Sequence, residues 1–252
     1  MTKENSIQSV DRIFSIIEKI ADYKQGVGIS ELAREVGLPK STVHRTVKAL
    51  TENNYLAKDQ ATDKYKLGYR FIAIAGSYTS KLDLREIASP YVRNIVNKLN
   101  VTGHIAVKQG DYAVYIEKIL PYSFACTYSQ IGKTIELYCS GLGKSLLLGL
   151  TDTELVEYFR RLLPRKYTPN TLDIIALQKE LAEARKTLIT RDNAEHEEGV
   201  YCLATPVFDS YNKVIGAISI SSHEKSLIND EEAKAMLLES GKQVSKQYGK
   251  II

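Results

Sequence analysis

The segment that decides the fold runs from residue 29 to residue 56 and reads ISELAREVGLPKSTVHRTVKALTENNYL. Ser30 is of a type that caps helices, and the short helix after it would turn an apolar face inward. Gly37 supplies the left-handed conformation with which many helices end. Pro39 suits the first turn of the next helix, because its missing N–H would have no partner there. Two short helices joined by a glycine-containing turn form a helix-turn-helix, so we predict that motif here.

The second helix of this motif separates an apolar face from a basic face. Helical spacing directs one set of residues to the core, namely Val43, Thr46, Val47 and Leu50. The same spacing directs Ser41, His44, Arg45 and Lys48 outward, and this set includes no carboxylate. An ordinary solvated face is the alternative, but arginine can bind guanine O6 and N7 and a hydroxyl can reach a base or a phosphate. We therefore predict a DNA-recognition helix, with contacts from Ser30, Lys40, Ser41, Thr42, His44, Arg45 and Lys48.

Flanking segments extend the motif to a winged helix. Apolar residues recur at helical spacing from Ser9 to about Tyr23, before a break at Gly26 to Gly28. The later stretch YLAKDQATDKYKLG has two β-prone runs around a polar turn at Asp59–Asp63, which favours a hairpin wing. On or beside this hairpin lie Lys58, Lys64 and Lys66, which we expect to contact phosphates. Phosphate contacts give affinity and orientation, whereas the helix gives sequence preference.

The positive charge of the chain is concentrated in this first third. Residues 1–82 hold 13 Lys and Arg against 9 Asp and Glu, whereas residues 83–252 hold 21 of each. The net charge of +4 therefore belongs to the predicted winged helix. A chance placement is the alternative, but such an asymmetry favours a polyanionic partner for this segment, and we predict double-stranded DNA.

The composition of the chain indicates its class and its cellular compartment. Hydrophobic residues make up 44% of the chain and charged residues 25%, which is typical of a soluble globular protein. No window has about 18 uninterrupted apolar residues, and the first residues are charged, so we expect neither a membrane span nor a signal peptide. The three cysteines, Cys126, Cys139 and Cys202, are odd in number and widely spaced. They favour a reducing cytoplasm over a disulfide framework or a zinc motif.

The stretch SGLGKSL, residues 140–146, ends like a nucleotide-binding loop. The full P-loop pattern needs a glycine five residues before Gly143, and Tyr138 stands there instead. A tyrosine brings a bulky side chain to a position where the loop needs a permissive backbone. We therefore do not predict a P-loop.

Four separated stretches resemble one family, the IclR-type bacterial transcription regulators. The first is SVDRIFSIIEKI together with the 29–56 segment, and the others are SGLGKSLL, DNAEHEEGVYCLATPVFD and VIGAISISS. The resemblance covers nearly the whole chain in the family's order. It implies an N-terminal winged helix-turn-helix, a linker helix and an α/β effector-binding domain similar to GAF and PAS modules. It also implies homodimers or tetramers that bind palindromic operators.

The residues support an α+β fold divided in this way. We predict the DNA-binding domain over residues 1–67, a linker helix over Gly68–Leu84, and the effector domain over residues 85–252. In the last domain, strands are predicted at 104–119 around a turn at Gly110-Asp111, at Val200–Phe208 and at Val214–Ser221. Helices are predicted from Thr151, with a capping box to Glu154, over Leu172–Leu188, and after Asn229, with a second capping box to Glu232. This order indicates a mostly antiparallel sheet with helices against it.

The predicted effector is a small organic acid or sugar acid. The glycine-rich entry to the helix at SGLGKSL leaves backbone N–H groups unpaired, and we expect those of Gly141 and Leu142 to hold its carboxylate. The resemblance implies the effector-binding positions Gly141, Leu142, Asp192, Cys202, Ser219 and Ser221. Ser219 and Ser221 lie two apart on one strand, so their hydroxyls face the same way. A solvated serine face and plain core packing of Cys202 are the alternative interpretations.

Two other classes of protein remain as alternatives. The first is an enzyme, but His104, His196 and His223 lie in no nucleophile-elbow, zinc-ligand or dinucleotide motif. We interpret Glu195 and His196 as structural or loop residues and predict no catalytic residue, metal or cofactor. The second is a module whose basic third binds an acidic protein. Our leading prediction is a DNA-binding regulator, acting as a repressor, whose operator binding an acid in the C-terminal domain modulates.

Overall fold

A computed structural model describes residues 8–79, 83–121 and 129–251. The chain divides into two compact units, Met1–Lys81 and Leu82–Ile252. Cys126 lies outside the described residues, and the boundaries predicted for the domains remain a prediction.

Three helices build the core of the first unit. They are α1 (Gln8–Ala21), α2 (Ile29–Glu35) and α3 (Lys40–Glu52). Ile16 and Ile20 of α1 pack with Leu32 of α2 and with Val43 and Val47 of α3, and all of these side chains are buried. The helical periodicity read from the sequence is therefore confirmed, because the apolar stripe of each helix faces the other two.

The ends of these helices differ slightly from the predictions. Ser30 does not cap α2, since the helix begins at Ile29 and the capping residue is Gly28, which offers no side-chain hydrogen bond. Gly37 follows the helix with φ +65, as predicted. Pro39 is the residue just before α3 and not its first residue. The helix-turn-helix is thus confirmed, with its first helix starting two residues earlier than predicted.

A short hairpin completes the winged helix. Strands β1 (Leu56–Lys58) and β2 (Tyr65–Leu67) pair in antiparallel register, and Val27 adds a bridge to Tyr65. In the turn, the carboxylate of Asp59 accepts hydrogen bonds from the N–H groups of Ala61 at 2.9 Å and Thr62 at 3.2 Å. These bonds and Lys66 hold the pKa of Asp59 below its usual value. The predicted wing is therefore confirmed as a hairpin, and the Asp59 carboxylate fixes its turn.

The helix after the wing is shorter than predicted. Helix α4 covers Arg70–Thr79, and residues 80–82 lie outside the described residues. Asp83 is extended and caps the next helix through the N–H groups of Arg85 and Glu86. The predicted helix end at Leu84 is therefore wrong, because an aspartate cap starts a new helix there. The role of residues 68–84 as a linker remains a prediction.

A six-stranded antiparallel sheet forms the second unit. Its strands stand in the order β5-β4-β3-β8-β7-β6. Their bounds are β3 (Thr102–Gln109), β4 (Tyr112–Ile119), β5 (Thr134–Glu136), β6 (Thr190–Asn193), β7 (Tyr201–Phe208) and β8 (Val214–Ser222). The predicted hairpins at residues 104–119 and 200–221 are confirmed as the four central strands. The two short edge strands, β5 and β6, were not predicted.

Helices cover both faces of this sheet. Their bounds are α5 (Leu84–Leu99), α6 (Gly141–Leu147), α7 (Asp152–Arg161), α8 (Ile174–Thr187) and α9 (Glu231–Gln247), and a 3-10 turn spans Lys225–Asn229. Helices α5 and α9 pack with Ile105, Ile218 and Ile220 on one face, whereas α6 to α8 share the other core with Ala106 and Ala217. Alternate residues of each strand thus belong to different cores.

The caps of the later helices test two predictions. The capping box between Thr151 and Glu154 is present at the start of α7. Helix α9 is capped by Asp230 and not by Asn229, since the Asp230 carboxylate accepts from the N–H groups of Glu232 and Ala233. The winged helix and the antiparallel sheet with its helices confirm the α+β class.

Candidate nucleic-acid interface and effector cavity

The outer face of α3 is placed as predicted. Ser41, His44, Arg45 and Lys48 are exposed, whereas Val43 and Val47 are buried and Thr46 and Leu50 are half-buried. Lys40 is exposed and Thr42 half-buried at the start of the helix, and Ser30 is exposed on α2. Lys48 lies 3.9 Å from Glu52 one turn later, which leaves Arg45 and His44 at the centre of the face. This face can present a guanidinium, an imidazole and hydroxyls to a groove of DNA.

The wing lysines are less available than the sequence suggested. The ammonium of Lys58 lies 2.6 Å from the carboxylate of Asp63, and that of Lys66 lies 3.7 Å from Asp59. The hydrogen bond to Asp63 raises the pKa of Lys58. Lys64 is half-buried immediately before β2. The structure brings the three lysines together on one hairpin, but the carboxylates of the turn offset two of the charges.

One face of the large sheet carries a block of polar side chains. The strand register places Asp192, Cys202 and Ser221 side by side across β6, β7 and β8, and Thr102 of β3 continues the row. The next row on the same face holds Thr190, Ala204, Ser219 and His104. Four of the six predicted effector residues therefore stand on one sheet face, although they come from three strands.

Helix α6 begins directly over this block. The side chain of Ser140 caps the helix, because it accepts from the N–H of Gly143 at 3.1 Å and donates to the carbonyl of Glu136 at 2.9 Å. Within the described residues, no acceptor meets the N–H groups of Gly141 and Leu142. A side chain at Gly141 would come 3.4 Å from Cβ of Cys202. The start of the helix therefore lies against β7 at the edge of the polar block.

A cavity of about 140 Å³ separates this helix end from the sheet. All six predicted effector residues line it, and a cavity of similar size in another protein admits a benzene molecule. Other parts of its wall were not foreseen, namely His104, Tyr115, Ser129, Lys133, Thr134, Ile135, Ser140, His196, Glu197, Val200 and His223. The earlier interpretation of His196 as only a loop residue is therefore incomplete. The cavity suits a small molecule that carries both an acid and hydroxyl groups.

Burial shifts the pKa values of three ionisable groups that line this cavity. Burial, with a further contribution from the Glu195 carboxylate, raises the pKa of Asp192 to about 7. Burial together with Lys118 lowers the pKa of His104 to about 3, so this imidazole is neutral and shares a hydrogen bond of 2.8 Å with Ser129. Burial also raises the pKa of the Cys202 thiol well above its usual value. Near neutral pH, Asp192 can thus carry a proton or release it.

The imidazoles of His223 and His196, which also border the cavity, each contact a neighbouring residue. Nδ1 of His223 lies 3.0 Å from the carbonyl of Gly199, so Nδ1 must be the donor. Nε2 of His196 lies 3.5 Å from a carboxylate oxygen of Glu136, and its ring lies 4.7 Å from the ring of Tyr167, centre to centre. The Tyr167 hydroxyl donates to the same Glu136. These contacts fix the side chains that border the cavity.

Lys144 shows that the GKS sequence does not serve a phosphate. Its side chain is 0% exposed, and its ammonium lies 2.8 Å from Glu180 and 2.7 Å from Glu195. Burial alone would lower the pKa of Lys144, but these two carboxylates outweigh burial and raise it. In a P-loop this lysine reaches the phosphates, whereas here it points into the protein. The sequence-based rejection of a P-loop is therefore supported by the direction of the lysine.

The two units together define a class of protein: a winged-helix reader of DNA joined to an α+β unit with a small polar cavity. Residues 9–60 match the sequence profile of the IclR helix-turn-helix domain, and residues 76–246 match that of the C-terminal region of bacterial transcriptional regulators of the IclR type. The chain belongs to the IclR family. It is a DNA-binding transcription regulator, in a family whose members are not enzymes.

Individual relatives agree over the full length. The chain is 29% identical to the regulator XynR of Escherichia coli over 246 residues, which span 96% of this chain and 98% of XynR. It is also 29% identical to the E. coli transcriptional repressor IclR over 248 residues, with 96% and 90% coverage. The crystal structure of the Agobacterium tumefaciens repressor BlcR superimposes with a TM-score of 0.76 at 23% identity, over 96% of this chain and 97% of BlcR. This last likeness concerns the fold.

No described helix has the length and apolar character needed to cross a membrane. No group of three or more histidine, cysteine, aspartate or glutamate side chains in the described part of the chain is arranged to hold a metal ion.

Proposed function

We propose that this regulator acts as a repressor and that a small hydroxy acid or sugar acid, bound in the cavity under α6, changes its affinity for a palindromic operator. The observation that carries the proposal is that one cavity gathers Gly141, Leu142, Asp192, Cys202, Ser219 and Ser221. The names of two relatives, the repressors IclR and AllR of E. coli, support repression. Such a regulator would work in the bacterial cytoplasm.

The cavity offers distinct partners to the two ends of such a ligand. The N–H groups of Gly141 and Leu142 and the dipole of α6 favour a carboxylate. Ser219 and Ser221 line the cavity, and the hydroxyl of each can donate to or accept from a ligand oxygen. Asp192 accepts from a ligand hydroxyl when ionised and can donate when protonated. Leu142 adds apolar bulk that limits the size of the ligand.

Removing both serine hydroxyls should weaken acid binding. We expect the Ser219→Ala, Ser221→Ala double variant to bind acids about tenfold more weakly or worse, since each hydrogen bond contributes about 0.5–1.5 kcal/mol. The measurement is calorimetric titration of the full chain with hydroxy and keto acids of increasing length. Ser222→Ala is the matched control, because neighbouring residues of a strand face opposite sides. Equal affinity of the double variant and the wild type would remove these serines from the site.

Incubation with the acid distinguishes a binding role from a catalytic role. A sensor returns the acid unchanged, whereas an enzyme converts it. Recovery of the intact acid after prolonged incubation would support the binding role, and the appearance of a new product would contradict it.

Three exposed apolar side chains in the first unit support dimer formation. Phe14 of α1 is 56% exposed, and Tyr69 and Ile72, before and within α4, are 66% and 76% exposed. Large apolar side chains that are exposed on a small unit favour an interaction surface. A second copy is the occupant that a palindromic operator requires, because two recognition helices must reach half-sites about 34 Å apart.

A charge at position 72 should disrupt the dimer. We expect Ile72→Glu to raise the dimer dissociation constant about tenfold or more, since burying an unpaired carboxylate in an interface is costly. Sedimentation velocity over a dilution series measures the constant. Tyr211→Glu serves as control, because Tyr211 is 89% exposed in the turn between β7 and β8 of the other unit. An unchanged dimer in the Ile72 variant would place the interface elsewhere.

A further inference from the structure

A buried cluster of charge lies directly behind the proposed effector cavity. We call it the lysine cluster and define it as Lys144, Glu180, Glu195 and Asp192. Lys144 is fully buried, and Asp192 and Glu195 are at most 4% exposed. The carboxylates of Glu180 and Glu195 contact this ammonium, and that of Asp192 accepts from the N–H of Glu195, so the cluster holds three carboxylates and one ammonium, with only Glu180 partly exposed, at 19%. Such an excess of buried negative charge is costly unless a proton or a further cation balances it.

A chain of short contacts connects Lys144 to the cavity wall. The ammonium of Lys144 lies 2.7 Å from Oε1 of Glu195, and the N–H of Glu195 donates to Oδ1 of Asp192 at 2.7 Å. Asp192 in turn lines the cavity. The loop that carries these groups is also held by the hydroxyls of Thr168 and Thr171, which donate to backbone carbonyls of Ala194 and Glu195. Lys144 therefore fixes the loop that positions Asp192.

Two buried oxygen atoms in and beside the lysine cluster lack hydrogen-bond partners among the described residues. Oε2 of Glu195 is buried and has no hydrogen-bond partner among the described residues, and Oδ1 of Asn193 is in the same condition. A buried acceptor without a partner is costly, whereas a protonated carboxyl in its place becomes a donor. A proton shared within the cluster would thus relieve both the charge excess and the unmet acceptors.

We infer that Lys144 is a positioning residue for the effector cavity and that the lysine cluster takes up a proton when an anion enters. The inference rests on the proposed function, since the anion is the proposed effector. A ligand carboxylate next to Asp192 adds a like charge, and like charges favour the protonated form. Protonated Asp192 can then donate a hydrogen bond to the ligand instead of repelling it.

Four of the groups around Asp192 are uncharged at neutral pH and do not supply this proton. Burial raises the pKa values of the thiols of Cys139 and Cys202 and of the Tyr115 phenol, which therefore stay neutral. His104 is neutral because its pKa is lowered to about 3. The remaining charged or titratable groups on the cavity wall are Lys133, His196, Glu197 and His223. Glu136 lies behind His196.

The sign of the pH dependence follows from these charges. Below a pH of about 7, free Asp192 is already protonated, so anion binding takes up no further proton there. Above that pH, free Asp192 is ionised and must recover a proton when the anion binds. Anion affinity should therefore fall as the pH rises from about 7 to 9, by up to about tenfold per pH unit.

The first test needs no ligand. Carbon-13 NMR of the full chain labelled at the aspartate carboxyls follows Asp192, with Asp192→Asn to assign its signal. We expect a midpoint near 7 in the wild type, about one unit lower in Glu195→Gln and higher in Lys144→Met. If Lys144→Met does not fold, Glu180→Gln gives a milder change, because it leaves Lys144 less neutralised and should also lower the midpoint. An Asp192 midpoint near the ordinary value of about 3.9 would overturn the inference.

The second test measures protons during binding. Calorimetry with glycolate, D-glycerate and D-gluconate at about pH 8, in phosphate and in Tris, gives the number of protons taken up. We expect uptake approaching about one proton in the wild type and none in Asp192→Asn. Binding without proton uptake by a wild type whose Asp192 titrates near 7 would overturn the coupling. If none of the three acids binds, the proposed effector class fails, while the NMR midpoints still decide the role of Lys144.

Discussion

Replacing His44 and Arg45 by alanine should abolish sequence-specific DNA binding. Both side chains are exposed at the centre of the outer face of α3, whereas Val43 and Val47 next to them hold the helix to the core. Each base contact is worth about 1–3 kcal/mol, so we expect the double variant to lose on the order of 100-fold in affinity or more. The helix itself should stay folded, because neither side chain is buried.

Gel retardation with a duplex selected by the wild-type protein from a random library measures this loss. The discriminating quantity is the ratio of affinities for that duplex and a scrambled one, measured at several salt concentrations. Phosphate contacts set the salt slope, whereas base contacts set the ratio. We expect the ratio to approach one in the double variant.

Lys19→Ala is the matched control for charge. It removes one positive charge from α1, where Lys19 lies 3.3 Å from Asp22, and should leave the ratio unchanged. A double variant that still prefers the selected duplex would show that α3 is not the recognition helix.

The second large effect should come from a single methyl group at Gly143. A Cβ atom there would lie 2.4 Å from Cα of Leu137 and 2.5 Å from its carbonyl oxygen. Real Cβ atoms do not approach backbone so closely, and neither the helix nor the buried Leu137 can move freely. We expect Gly143→Ala to destabilise the second unit by about 3 kcal/mol or more, because overpacking against backbone cannot be relieved by a rotamer change.

Calorimetric unfolding of the full chain tests this expectation against a variant two residues away. Gly141→Ala would place its Cβ at 3.4 Å from Cβ of Cys202, an ordinary contact, and should keep the stability within about 1 kcal/mol. For a unit of this size, about 3 kcal/mol corresponds to a fall of roughly 6–12 °C in melting temperature. Equal melting temperatures for the two variants would show that Gly143 is not needed for packing.

The fold explains why Gly143 and Lys144 stand next to each other in the SGLGKSL stretch. Gly143 is a glycine because α6 crosses the backbone of Leu137, and Lys144 is a lysine because it pairs with Glu180 and Glu195. Its partners are 36 and 51 residues away in the chain, so no local pattern announces them. A lysine within a glycine-rich stretch is usually solvated, and only the fold shows that this one is buried.

Features with a short sequence period were predictable. The outward placement of Arg45 and the inward placement of Val47 follow from the 3.6-residue period of one helix. The hairpin at Gly110-Asp111 follows from alternation and a turn pair. By contrast, β5 and β6 are only three and four residues long and show no such alternation, which is why they were missed.

Most residues of the candidate effector site could not be predicted from local sequence periodicity. Strand spacing alone placed Ser219 beside Ser221, but Asp192 and Cys202 came from the family resemblance. His104 could not be assigned to the cavity from the sequence, because it stands opposite Ser219 only through a strand pairing between distant segments. The buried environment that shifts the pKa of Asp192 likewise needs the fold.

The ion pairs within the wing hairpin should affect how such a regulator searches a chromosome for its operator. Lys58 and Lys66 each face a carboxylate of the same hairpin, so they add little long-range attraction to random duplex. Weak attraction shortens each unproductive encounter, since non-specific affinity comes largely from backbone neutralisation. A bacterium holding few copies of the protein would then lose fewer of them to the bulk of its genome, and more would remain free to occupy the target.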